Sequence, residues 1–496
     1  MLSLIVWWPL AVAALLVAVP RLSDVAARWA FVGATAVDLA LVLGLWVTYE
    51  TPAAGGLAFE EQVEWIPGVN SSYRLGVDGL SLPLLAVTAV VFLACAVYAL
   101  RETDRPRLQA ALFLFLQTTC LGAFAAQDLI VFFVFFDLSI VGMYFVIAGW
   151  GHGAARRSAL KFFLYTFLGS LALLLGFIGL YVAADPHTFD MVDLAAAPPL
   201  QDNPVAGGLV LAAILLGLAV KTPTVPFHTW LPPAHTDAPA IGSAVLAGVL
   251  LKLGTYGFVR IAMPMLPGAW RDWAWVIVVV GIVSVLYGAL VALAQTDLKR
   301  MIAYTSVNHM GYVVLDVGAA GLAAGGDAAA REVAVSGATY QMVSHGLITG
   351  ALFLLAGVFR DRAGSYDLHA YGWLAGPAPR LTLVFALGAF ASLGLPGFTG
   401  FIAEFQVFTG SIAVAPVTAI AVLGILITAG LFLRALQLLF TGSTEGRSVG
   451  FTDLRPAELC SAGGLMALAV VFGVLPRPLL DVIEPAAGTL VDLVGR

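Results

Sequence analysis

Stretches of about 20 residues with almost no charge constrain this chain more than any other feature, because that length of α-helix crosses a hydrocarbon layer of ~30 Å. They recur with centres near residues 11, 38, 90, 116, 138, 171, 217, 248, 283, 308, 346, 392, 425 and 467, separated by polar or Pro/Gly-rich breaks. About fourteen membrane-crossing helices are therefore expected. With 60% of its 496 residues hydrophobic and 11% charged, the chain carries more apolar surface than a water-soluble domain can hide. The fold class is read as all-α, polytopic and membrane-embedded. The opening MLSLIVWWPLAVAALLVAVP has neither a basic leader nor a small-residue cleavage site, so it reads as a first membrane helix rather than a cleaved signal.

Basic residues orient the spans. With the N-terminus placed outside the cytoplasm, sixteen of the 24 Lys and Arg fall at cytoplasmic ends, Lys161, Lys299, Arg300 and Arg447 among them. Six, including Arg74, Arg260 and Arg496, fall opposite. The expectation is a multi-pass protein of an energy-transducing membrane, here a bacterial plasma membrane, with both termini non-cytoplasmic. A net charge of −6 implies no nucleic-acid partner. Cys95, Cys120 and Cys460 lack metal or disulfide spacing and read as small buried hydrophobes. No Gly-rich phosphate loop and no His/Cys cluster with ligand spacing is present, so no metal is expected and any cofactor sits in another chain.

Two spans are interrupted. Before KTPTVPFHTWLPPAH the apolar run from Val205 to Val220 is short, and Pro223 and Pro226 remove backbone donors, so the seventh helix should break inside the membrane. In SLGLPGFTGFIAEF, Gly394, Pro396 and Gly397 interrupt the twelfth segment, which continues to Glu404. Unpaired backbone at that depth must line a protein-enclosed, hydrated cavity. The two breaks occupy the fourth place in sets 4–8 and 9–13. Five is odd, so tandem repeats of five helices have opposite orientation, as in secondary transporters with sites at discontinuous helices. The domains expected are 1–105 with the first three helices, 106–263 and 270–441 as the repeats, and 456–496 as the fourteenth helix and a tail.

Ionisable residues stand singly in six of these segments: Asp137, Lys221, Lys252, His309, His345 and Glu404. Each charge costs roughly 2.5–3.5 kcal/mol or more at membrane depth, so six of them point to transport of charge rather than to a scaffold. Lysine suits proton transfer when desolvation and a movable carboxylate shift its proton affinity in opposite senses, and histidine relays protons near neutral pH. On that reasoning Asp137 and Lys221 form a modulating couple, Lys252 with His309 or His345 relays across the centre, and Glu404 is the exit. His228 and His235 fall near the cytoplasmic end of the seventh helix as loop or entrance residues. His152, His187 and His369 lie in loops without an assigned role.

The segments KTPTVPFHTWLPPAHTDAP, QTDLKRMIAYTSVNHMGYVVL, SHGLITGALFLLAG and SLGLPGFTGFIAEF, in this order, resemble the antiporter-like membrane subunits of respiratory complex I. Those subunits are similar in turn to parts of multi-subunit cation/proton antiporters and membrane-bound hydrogenases. The resemblance runs from YRLGVDGLSLPL near residue 73 to about residue 410 and implies fourteen helices with two inverted five-helix repeats. A glutamate at Glu404, where sister types carry lysine, favours the M type. The family's usual glutamate is replaced here by the shorter Asp137, which puts direct contact with Lys221 in doubt. The implied function is proton translocation in an NADH:quinone oxidoreductase, with no redox centre in this chain. Flavin, iron-sulfur clusters and quinone would belong to partner subunits, and neighbouring membrane-arm subunits and the lipid bilayer would be the surroundings. The alternatives are a subunit of a Na+/H+ antiporter or of a membrane-bound hydrogenase, and an inactive membrane anchor.

Overall fold

A computed structural model describes every residue except 20, 54–55, 323–326, 443–447 and 496. Arg447 and Arg496, used above for orientation, lie outside the described residues.

Among the described residues, eleven helices are long and apolar enough to cross a membrane, and Leu2–Ala18, Pro379–Ser392 and Thr399–Val414 are shorter apolar helices. Leu298–Ala320 is a further helix whose residues are almost all buried, with Lys299, Arg300 and Asp316 in its sequence. Burial separates the helices into centre and rim. Within their most apolar stretches, Ala328–Ala363 is 100% buried and Ala240–Met265 is 94% buried, against 33% for Asp24–Val47 and Pro416–Phe440. The rim helices turn apolar residues outward, for example Leu164, Leu168, Leu175 and Val182 on Ala155–Ala183. Such a belt suits hydrocarbon, where apolar exposure costs nothing.

Three features differ from the expectations. The first is a two-stranded antiparallel hairpin, Ala58–Ile66 with Ser71–Val77, so the chain is not strictly all-α. Its polar edge residues Glu60, Glu61, Gln62 and Glu64 escape a search for apolar windows, yet the segment satisfies its backbone by strand pairing. The second is that the tail after residue 476 folds as a helix, Arg477–Gly495, burying Leu479, Ile483, Ala487, Leu490 and Val494 on one face. That spacing of three and four is the amphipathic period. The third is Cys460, which is exposed, whereas Cys95 and Cys120 are buried.

The basic end of the bundle is tied by ion pairs. Glu458 is 0% exposed and meets both Arg101 and Arg362, the latter at 2.5 Å, while Arg101 also pairs with Asp361. Removing one member of such a buried set leaves uncompensated charge. Glu458→Ala is expected to cost about 3–5 kcal/mol, read as a lowered thermal unfolding midpoint of the purified protein; an unchanged midpoint would show that water compensates the two guanidinium groups.

Candidate functional site

The first break lies where proline places it. The helix Pro204–Lys221 stops at Lys221, residues 222–230 form turns, and Leu231–Asp237 resumes. Its backbone is satisfied locally and by neighbours. The Trp230 indole donates to the Val220 carbonyl at 2.9 Å, and the Val225 amide donates to Ser284 Oγ at 3.0 Å across the contact with Pro267–Leu293. The break is thus a constructed element, and it leaves Lys221 as the last residue of a helix that ends inside the protein.

Lys221 is 1% exposed, and its ammonium group donates to Ser139 Oγ at 3.0 Å and sits 4.6 Å from the centroid of the Phe136 ring. Asp137 lies on the same helix as Ser139, Leu129–Trp150. Among the described residues Asp137 and Lys221 make no direct ion pair; one Asp137 oxygen is buried without a partner, and Ser170 on Ala155–Ala183 is the hydrogen-bonding neighbour of the carboxyl group. Ser139 thus occupies the direct position beside the lysine. The one proton of that hydroxyl is donated to the Phe136 carbonyl at 2.6 Å, so Ser139 holds the ammonium in place by accepting from it. Ser139 was not singled out from sequence; its only signal is that it follows Asp137 by two residues.

The centre is continuous. Lys252 is 0% exposed and lies between two π-helical turns, Leu246–Leu250 and Phe258–Ala262, within the most enclosed helices of the fold. π turns frequently mark functional positions because they redirect backbone groups. Here the Lys252 ammonium donates to the Ala247 carbonyl at 2.5 Å, and Nζ stands 2.6 Å from His345 Nδ1. Proton exchange between an ammonium and an imidazole nitrogen needs no further movement at that distance. The His345 and His309 rings lie edge to face, 5.5 Å between centroids.

A small void continues the line from the histidines to Glu404. Its volume is about 10 Å³, the least that one water requires, and His309, Gln341, Ser344, His345, Ser392 and Glu404 are on its walls. Its polar lining gives such a water hydrogen-bonding partners. The second break, residues 393–398, lies between Pro379–Ser392 and Thr399–Val414, and the helix ends on either side of it line the void through Ala391, Ser392, Gly400 and Glu404. Gly394 adopts φ +67, and a Cβ there would stand 2.2 Å from Glu404 Oε2, so only glycine lets the carboxyl group lie against the break. Gly397 also has positive φ, +99, but open space around it. Ser344 Oγ donates to Thr399 Oγ1 at 3.0 Å and pins the resumed helix to Ala328–Ala363.

The two entrance histidines part company. His228, 4% exposed, lies at the break against Tyr287, with ring centroids 5.0 Å apart. His235 is not a loop residue: it is 0% exposed, neither ring nitrogen has a hydrogen-bond partner, and it stacks on Phe353 at 4.4 Å. Lys299, read from sequence as a basic residue at a helix end, is also 0% exposed and donates to the Ala238 carbonyl at 2.5 Å. Nearby, His152 meets the Tyr366 hydroxyl at 3.1 Å, and burial together with the charges of Lys299 and Arg360 pushes this loop histidine down to about 4. It is neutral at pH 7 and adds no charge beside Lys299. Among the described residues no group of three or more His, Cys, Asp or Glu is placed to hold a metal ion.

With this geometry in view, comparison with known proteins is informative. Residues 126–430 match the family described as "NADH:quinone oxidoreductase/Mrp antiporter, TM". The F(420)H(2) dehydrogenase subunit M of Methanosarcina mazei is 37% identical, with 98% of this chain and 99% of that protein aligned. The NADH-quinone oxidoreductase subunit M of Rhodobacter capsulatus is also 37% identical, over 99% and 96% of the two chains. A chain in the structure of respiratory complex I from Thermus thermophilus with bound NADH superposes with TM-score 0.90 at 30% identity, covering 100% of both. A chain of the Mrp complex from Dietzia sp. has the same fold, with TM-score 0.84 at 23% identity over 100% and 99% of the chains. This chain therefore belongs to the NADH:quinone oxidoreductase/Mrp antiporter transmembrane family, as an antiporter-like subunit of the M type.

Proposed function

We propose that the chain is the proton-translocating part of a quinone-reducing respiratory complex, an NADH:quinone oxidoreductase in the first instance, with electron transfer carried out by partner subunits. The observation that carries this reading is the unbroken interior sequence Lys252, His345, His309, void and Glu404, in which every ionisable group is buried and each adjoins the next. A structural role would need paired charges. This line instead holds groups able to give and take one proton, and a movable charge near one end can drive proton displacement along it. Lys221 with Asp137 and Ser139 forms the second station, placed at the matching break of the other five-helix set. In this reading the chain has fourteen crossing segments, its repeats span 106–263 and 270–441, its first three helices and its last helix flank them, and both termini face away from the cytoplasm. Flavin, iron-sulfur clusters and quinone belong to companion subunits of the membrane arm and its extension.

The Methanosarcina relative, matched over nearly the full length of both chains, favours a second electron donor. Purification of the tagged chain with its companions from native membranes tests both. Inhibitor-sensitive quinone reduction by NADH supports the first donor, reduction driven by F(420)H(2) supports the second, and an assembly that exchanges Na+ for H+ without redox cofactors overturns the redox reading.

The Asp137 couple makes a separate prediction. Asp137→Ala should suppress proton movement in reconstituted vesicles, whereas Asp137→Glu keeps the carboxyl group and should retain it. Equal and undiminished pumping by both variants would remove Asp137 from the mechanism.

A further inference from the structure

Other buried carboxyl groups outside the line, such as Asp38 and Glu458, have partners, whereas that of Asp316 has none among the described residues. Asp316, in MGYVVLDVGAA, is 0% exposed, and among the described residues neither of its carboxyl oxygens has a hydrogen-bond partner. No ion pair holds it among them. A bare carboxylate in that setting is strongly disfavoured, so the group either carries a proton or is reached by water. In either state the group is able to take up or release a proton, and among the described residues no bond ties it to a purely architectural role.

Its position gives it a partner. Asp316 follows His309 by seven residues on the helix Leu298–Ala320, which returns it to within about 20° of the same face. The rise between them is about 10 Å. Tyr312 stands in that interval, fully buried, with its ring 6.4 Å from His309 and 5.4 Å from Phe408 of the helix that carries Glu404. Its hydroxyl occupies space that Gly424 leaves open, since a Cβ there would lie 2.5 Å from it. The neighbouring face, about 100° round the helix, is committed to close packing on Pro267–Leu293, where Gly281 meets Leu315 and Gly288 meets Asn308. Four residues beyond Asp316 the helix ends at Ala320, at the end opposite buried Lys299.

We propose that Asp316 is an additional proton-carrying residue, which receives the proton from the His309 and Glu404 region through water beside Tyr312 and releases it toward the Ala320 end of the helix. The transfer balances: an imidazolium at His309 or the neutral acid at Glu404 gives up its proton through the water, Asp316 carboxylate becomes the neutral acid, and release to bulk water restores the carboxylate. No oxidant or reductant takes part. The proposal rests on the proton-translocating reading above.

The test uses the intact complex, purified through this chain and reconstituted in liposomes, with proton uptake measured per electron pair transferred. Asp316→Asn keeps the shape and removes the exchangeable proton; it should lower the ratio to the level of Lys252→Ala while electron transfer continues, and Asp316→Glu should restore it. Infrared difference spectra between resting and turning-over complex supply a readout that packing does not move: a protonated-carboxyl band that is lost in Asp316→Asn and shifted in Asp316→Glu. A parental ratio in Asp316→Asn overturns the proposal if Lys252→Ala is impaired, and an unimpaired Lys252→Ala overturns the underlying reading instead. Should Asp316→Asn assemble poorly, a carboxyl band that does not shift in Asp316→Glu overturns the proposal by itself.

Discussion

Replacing Lys252 by alanine is expected to stop proton movement through this chain. Among the described residues the ammonium group is the hydrogen-bonding partner of His345 Nδ1 and also meets the Ala247 carbonyl in the π turn, so the variant removes both contacts and the titratable group at once. Losing a positioned acid or base slows a proton-transfer step by about 10²–10⁴-fold. The vacated space costs some stability, but the helix itself should survive, because 94% of its apolar stretch is buried against its neighbours. The measurement is the ratio of protons moved to electrons transferred in reconstituted vesicles. A parental ratio would mean that protons bypass the Lys252 and His345 pair, and the central line would lose its claim.

Gly394→Ala is expected to damage the other end of the line almost as severely. Two costs combine. The backbone at φ +67 disfavours any residue with a Cβ by about 1–2 kcal/mol, and the new methyl group would have to occupy the position of Glu404 Oε2. The carboxyl group must then swing away from the void that links it to the histidines. Gly397→Ala supplies the control, since its backbone is also left-handed but nothing stands within 4 Å of the added Cβ. Both variants should lose some thermal stability, and only Gly394→Ala should lose proton movement out of proportion to it. Equal loss of transport in the two would show that the strained turn matters and the approach of Glu404 does not.

How legible was this site from the sequence? The breaks were, because a proline without its amide proton and a glycine cluster interrupt a helix wherever they occur. So were the isolated ionisable residues, which stand out against apolar neighbours. Their partners were not. Ser139 is chemically unremarkable in sequence, and its meeting with Lys221 bridges 82 positions; the Lys252 and His345 contact bridges 93. Lys299 looked like an orienting charge at a helix end, and only the packing of the Leu231–Asp237 segment beneath it shows that it is buried. His235 was displaced in the same sense, from a loop to the interior. Asp316 does not stand out in the sequence, since one carboxylate near the end of an apolar segment reads like a residue at the membrane surface. The hairpin at Ala58–Ile66 and Ser71–Val77 was missed because strand pairing leaves no apolar window.

By itself, then, the sequence determined the membrane-embedded class, the places where helices break, and which side chains bear the cost of buried charge, since each of these depends on local chain chemistry: apolar length, a missing donor, one charge in a run of hydrocarbon. The tertiary structure alone decided which of those side chains meet, that Ser139 rather than Asp137 contacts Lys221, and that a water-sized void joins the histidines to Glu404. Those outcomes depend on how helices far apart in sequence pack, and a shift of one residue in any helix would turn a side chain by about 100° and separate the pair.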